Sequence, residues 1–114
     1  MKLWVDDVRP APEGYSWIKS VNEAKMFIEG IEDIFGPFIV FWPTTDERRK
    51  VQIELIDIDH DAGEYVNDGG DYIRLLDWLE ETGRNYPIRI HSMNPVGREN
   101  MRRIIERNGW TEVK

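Results

Sequence analysis

The chain has 114 residues, 40% of them hydrophobic and 11% aromatic, which suits one domain over residues 1–114 with one real core. It contains no Cys, so disulfides, zinc-thiolate sites and thiol nucleophiles are excluded, and its formal charge of -7 argues against a broad nucleic-acid-binding face. No apolar run approaches the ~18–20 residues of a membrane span, and the start turns acidic at Asp6-Asp7 without a signal-peptide core, so a cytoplasmic protein is expected.

Residues 2–5 read as a short strand that ends in Asp6-Asp7. Residues 8–15 hold Pro10, Pro12 and Gly14 and read as a loop. Ser20-Val21-Asn22-Glu23 has the spacing of a capping box, and the helix it opens carries Val21, Ala24, Phe27, Ile28 and Ile31 at helical spacing. Residues 38–41 read as a buried strand, 43–50 as a charged connection, and 51–59 as a third strand that His60-Asp61-Ala62-Gly63 leaves. Residues 71–82 put Tyr72, Ile73, Leu75, Leu76 and Leu79 on one helical face, with Gly83 as the C-terminal cap. Residues 87–91 are a fourth strand. Asn94 caps a further helix with Pro95 in its first turn, running to Asn108-Gly109, and residues 110–113 suggest a short last strand.

Strands alternating with helices predict a parallel α/β sheet, whose ligands bind beyond the carboxyl ends of the strands. Asp6-Asp7, Asp59-His60-Asp61 and His91-Ser92-Met93-Asn94 all fall at such ends, and both His residues of the chain are among them. Asp6, Asp7 and Asp59 read either as solvated loop carboxylates or as a magnesium site, since hard cations take carboxylate oxygens. Arg9 is the rival counter-ion. Asp57 shares a strand face with Asp59 and is either a partnered buried carboxylate or a second site residue.

His60 stands between Asp59 and Asp61, and carboxylates orient an imidazole. His60 and His91 read singly as packed histidines, and together as a general base and general acid facing one phosphate. Their spacing matches no zinc motif. Ser92, Asn94, Gly97 and Arg98 lead from strand into helix, where free amides and the helix dipole favour an anion and Gly97 would let a phosphate approach. The same segment also reads as an ordinary capped helix. The five tryptophans read as core or core edge, with Trp17 placed to wall a ligand beside the first loop.

Leu3-Trp4-Val5-Asp6-Asp7-Val8-Arg9-Pro10, Asp59-His60-Asp61 and His91-Ser92-Met93-Asn94-Pro95-Val96-Gly97-Arg98 resemble, in order and spacing, the cyclic-phosphate-processing receiver-like domains of bacterial and phage proteins. The resemblance implies a receiver-like (flavodoxin-like) three-layer sandwich: a five-strand parallel sheet of order 2-1-3-4-5 with helices on both faces. It also implies a role in handling cyclic phosphates, with RNA 2′,3′-cyclic ends as one form. Beside ordinary receivers, Asp6-Asp7 is similar to the acidic metal pair and Ser92 to the hydroxyl switch residue. Asp59, with Asp57 as rival, matches the phosphate-accepting Asp. The Lys expected after the last strand has no counterpart here.

The resulting expectation is a phosphoesterase. Asp6, Asp7 and Asp59 would hold Mg2+, while Arg9, Ser92, Asn94, Gly97 and Arg98 would hold phosphate. His60 and His91, tuned by Asp59 and Asp61, would move protons. The alternatives are a non-catalytic module that binds a nucleotide or a protein, and a phosphoaccepting receiver.

Overall fold

The computed structural model describes residues 1–35 and 52–114. Its four strands, β1 (Lys2–Val5), β2 (Tyr15–Ile18), β3 (Leu55–Ile58) and β4 (Ile88–Ile90), form one parallel sheet in the order β2-β1-β3-β4. The helices among the described residues are α1 (Val21–Phe35), α2 (Ile73–Glu81) and α3 (Pro95–Asn108), with a 3-10 turn at Gly63–Tyr65. None is long and apolar enough to cross a membrane.

The strand order begins 2-1-3-4 as expected, but its second strand is a different segment. The expected strand at 38–41 and the connection at 43–50 lie outside the described residues. Tyr15–Ile18, to which the sequence reading assigned no strand, forms the edge of the sheet beside β1. Parallel neighbours are normally joined by a crossover of a dozen or more residues, usually helical. Here the shorter stretch 6–14 suffices because side chains fold it. Asp6 Oδ1 accepts from the amides of Val8 (3.0 Å) and Arg9 (2.9 Å), and Trp4 Nε1 donates to the Arg9 carbonyl at 2.8 Å. Such an irregular connection leaves no periodic signal in a sequence.

The fifth strand is not confirmed. Residues 110–113 meet the sheet through one bridge, Ile88 with Glu112, flanked by bonds from the Ile88 amide to the Thr111 carbonyl and from the Val113 amide back to Ile88.

Register sorts the side chains by face. Leu3, Ile56 and Ile88 form one row, and Ile18, Val5, Ile58 and Ile90 the next, all within a single core that also takes residues from every described helix. α1 packs beside α2 and α2 beside α3, and all three bury residues in the core on the Leu3 and Val5 side of the sheet, so they lie on one face. The expected helices on both faces are thus not found among the described residues. The opposite rows carry Trp17, Trp4, Asp57 and Arg89, with Tyr15, Lys2 and Leu55 beside them.

Two side chains tie the rim loop after β3 to the rest. Tyr72, fully buried, donates from its hydroxyl to the Lys19 carbonyl at the end of β2 (2.7 Å). Asp68 accepts from the Ser20 hydroxyl and the Asn22 amide at the start of α1, while Ser20 Oγ accepts from the Glu23 amide as the capping pattern predicted. Tyr72→Phe removes the donor and strands a carbonyl, which costs about 1–3 kcal/mol. Urea unfolding should show that loss with an unchanged m-value; a shift below about 0.5 kcal/mol would mean that water replaces the bond.

Candidate functional site

The sheet ladder continues one residue beyond each strand. The Asp6 amide bonds the Ile18 carbonyl (3.1 Å), the Asp59 amide the Val5 carbonyl (2.9 Å) and the His91 amide the Ile58 carbonyl (3.0 Å). Asp6, Asp59 and His91 are therefore held by backbone geometry on one edge, as the alternating pattern predicted.

His91 does not stand free on that edge. Its Nδ1 lies 2.7 Å from Asp57 Oδ1 and its Nε2 2.9 Å from Asp6 Oδ2, and its ring stacks on Trp4 with centroids 3.9 Å apart and planes within 2°. Asp57 and Asp6 are both fully buried. Both ring nitrogens of His91 are thus within hydrogen-bond distance of a buried carboxylate. Asp57 spends its other oxygen on Arg89 Nη1 (3.1 Å) and, at 3.4 Å, on the Tyr15 hydroxyl. This settles the question of Asp57: it is a partnered carboxylate beneath the rim. The sequence placed Asp57 on a strand face with Asp59, but the His91 ring that partners it comes from a distant segment.

Asp6, Asp7 and Asp59 each offer an oxygen within 4.8 Å of the others. The Asp59 Oδ1 accepts the His60 amide at 2.8 Å. Asp7 lies against Gly63, where an added Cβ would overlap its carboxylate, and the backbone of Gly63, at φ +54°, itself favours glycine. Among the described residues no Lys or Arg forms an ion pair with Asp7 or Asp59. Arg9, the expected rival counter-ion, instead donates from Nη1 to the His91 carbonyl at 3.0 Å. The trio consequently splits. Burial works against the charge of Asp6, but the Arg9 amide, the His91 ring, the Val8 amide and the His91 charge outweigh it and hold the carboxyl below its ordinary range. Burial raises Asp7, its own amide offsets part of this, and the charges of Asp6 and Asp59 raise it further.

His60 Nδ1 lies 2.9 Å from Asp61 Oδ1; the imidazole is 15% exposed and the carboxylate 61%. Its ring packs on Gly97 in the first turn of α3, so the space expected to admit a phosphate holds His60. Asn94 caps α3 as predicted, its Oδ1 accepting the Gly97 amide at 3.0 Å. Ser92 is buried, and its Oγ accepts the Asn94 amide at 3.1 Å. Arg98 Nη1 reaches the Ser92 carbonyl at 3.4 Å. Trp17 braces the rim from below, donating from Nε1 to the Asp6 carbonyl at 2.8 Å, with Lys19 over its ring.

The family model for the cyclic-phosphate processing receiver domain matches residues 1–107. The chain belongs to that family. Neither a curated protein nor a solved structure matches it. This receiver domain therefore belongs to a family tied by its description to cyclic-phosphate processing. The rim could hold a metal ion on Asp6, Asp7 and Asp59, and Asp59 rather than Asp57 stands with the acidic pair.

Two outcomes follow from the charges. His91→Ala leaves two buried carboxylates without their shared donor and should destabilise the domain by about 3–5 kcal/mol, the scale for breaking a buried pair. A loss under 1 kcal/mol in urea would show that His91 is not their anchor. Asp7→Asn removes a carboxyl whose folded pKa is raised, a group that destabilises the fold above that pKa and not below the unfolded value. In metal-free buffer Asp7→Asn should melt higher than wild type at pH 7, with the difference closing as acid protonates Asp7. Asp6, held low, acts in the opposite sense: its stabilisation is present above the unfolded pKa and is lost as pH falls through the folded one. Melting curves of wild type and Asp7→Asn between pH 3 and 7 test both signs.

Proposed function

We propose that this receiver domain is a phosphoesterase that opens cyclic phosphodiesters, with nucleoside 2′,3′-cyclic phosphates or RNA 2′,3′-cyclic ends as its substrate class. The observation that carries the reading is the meeting of three carboxylates, two of them without a cationic partner among the described residues, with a carboxylate-oriented imidazole on one strand-end rim. The family's tie to cyclic-phosphate processing supports the same reading.

The donor set suits magnesium, since it consists of hard carboxylate oxygens; burial raises Asp7 most and repulsion from Asp6 and Asp59 adds to it, and a divalent cation would relieve that repulsion. Asp6, Asp7 and Asp59 would hold it, and when bound it would neutralise charge developing on phosphoryl oxygens.

The protein's own groups supply the remaining steps. With Asp61 accepting from Nδ1, a neutral His60 carries its lone pair on Nε2. Nε2 takes a proton from a water as that water attacks phosphorus. The bond from phosphorus to the 2′ or 3′ oxygen breaks, that oxygen takes a proton from solvent, and a phosphomonoester results. Arg9 and Arg98 each commit one N–H to a backbone carbonyl and keep the rest of a five-donor guanidinium for phosphate oxygens. The Val96 amide, without an internal acceptor in the first turn of α3, adds a donor, whereas Asn94 takes that of Gly97. Of the two histidines, His60 moves the proton. His91, bonded at both nitrogens, holds Asp6 in place for the metal.

Two measurements test this. Millimolar magnesium should raise the wild-type melting midpoint and leave that of Asp7→Asn unmoved, because a ligand that binds only the folded state shifts the midpoint; an unmoved wild type removes the metal. His60→Ala should cut turnover of 2′,3′-cyclic nucleotides by about 10²–10⁴-fold. If the wild type turns over no 2′,3′-cyclic nucleotide or RNA end, with or without magnesium, the domain is a binding module and the phosphoesterase reading is wrong.

A further inference from the structure

Gly97 sits in the first turn of α3, is buried, and is absent from the glycines with positive φ. Its backbone therefore has no conformational need for glycine. Glycine is also a poor helix residue, since it loses the most backbone freedom on folding. What the missing side chain provides is space. A Cβ built at Gly97 would overlap Cγ of His60 and stand 2.9 Å from Nδ1, the nitrogen that bonds Asp61. A Cβ contact under 3.0 Å is closer than side chains tolerate. The relief it would force falls on a five-membered ring, whose one sure way out is to rotate or withdraw. That motion would break the Nδ1 contact with Asp61. The Gly97 amide is meanwhile fixed by Asn94, and the Arg98 amide by the Asn94 carbonyl at 2.9 Å, so the helix start cannot easily yield.

We propose that Gly97 is a positioning residue: the notch it leaves in α3 seats the His60 ring, and with Asp61 on Nδ1 it fixes the orientation in which Nε2 meets substrate. The proposal rests on the phosphoesterase reading for its functional half and on geometry alone for the seat. It assigns this glycine to the imidazole rather than to a phosphate.

The test compares Gly97→Ala in two backgrounds, wild type and His60→Ala, each checked for folding by circular dichroism. With His60 present, the added methyl should lower the melting midpoint and shift the His60 ring 1H–13C resonances. With His60 removed, the same change should raise the midpoint by about 2–6 °C, because Ala is the better helix former and nothing opposes it. A rise of equal size in both backgrounds overturns the seat. In turnover of a 2′,3′-cyclic nucleotide, Gly97→Ala should lower kcat by about 10–100-fold, the scale for a misplaced reacting group, and change KM less than about twofold. Shifted ring resonances with wild-type kcat would overturn the positioning role and leave a packing contact. Absence of turnover in the wild type would overturn the phosphoesterase reading, and the melting comparison and ring resonances would still decide the seat.

Discussion

The site is organised around one buried interaction, the His91 ring clamped between Asp57 and Asp6. Two fully buried carboxylates would be costly without partners. A single imidazole ring lies within hydrogen-bond distance of both, and Arg89 serves the far oxygen of Asp57. The stack on Trp4 fixes the plane of the ring, and Trp4 itself holds the Arg9 carbonyl. Asp6 is thereby pinned from three sides: its backbone to β2, one oxygen to the loop amides and the other to His91. The remaining rim groups take their positions relative to that carboxylate.

This clamp gives the acidic rim an uneven charge. Asp6 is stabilised as an anion from beneath, whereas Asp7 and Asp59 have no ion-pair partner among the described residues. The oxygens of Asp6, Asp7 and Asp59 are close enough together that the edge could hold a metal ion. Ordinary receivers, as the family resemblance implies, bring a Lys to this rim after the last strand. In this chain His91, one residue beyond β4, occupies the underside of the rim, bonded at both ring nitrogens to Asp57 and Asp6.

His60 has the opposite environment. It is bonded at one nitrogen, by a largely exposed carboxylate, and it rests on helix α3 rather than inside the sheet. The two histidines thus have different surroundings, one held at both nitrogens within the sheet and one at a single nitrogen against α3. Glycines shape both halves of the rim: Gly63 makes room for Asp7 and Gly97 for His60. The receiver architecture, with parallel strands ending on a common edge, is what brings these three loops together.

Much of this was legible in the amino-acid sequence, for reasons that are local. Apolar runs ending in Asp6, Asp59 and His91 marked strand ends, because strand alternation and parallel topology leave polar groups nowhere else to gather. The Asn94-Pro95 start of α3, the Ser20 cap of α1 and the Gly83 end of α2 followed from capping chemistry that acts within four residues. What the sequence could not decide depended on contacts between distant segments. Tyr15–Ile18 becomes a strand only because the folded loop before it reaches β1. Asp57 and Asp6 meet the two nitrogens of the His91 ring only because β1, β3 and β4 lie in register. The two histidines look alike in the sequence, and only the folded chain sets His91 between two buried carboxylates on Trp4 and His60 beside Asp61 on α3.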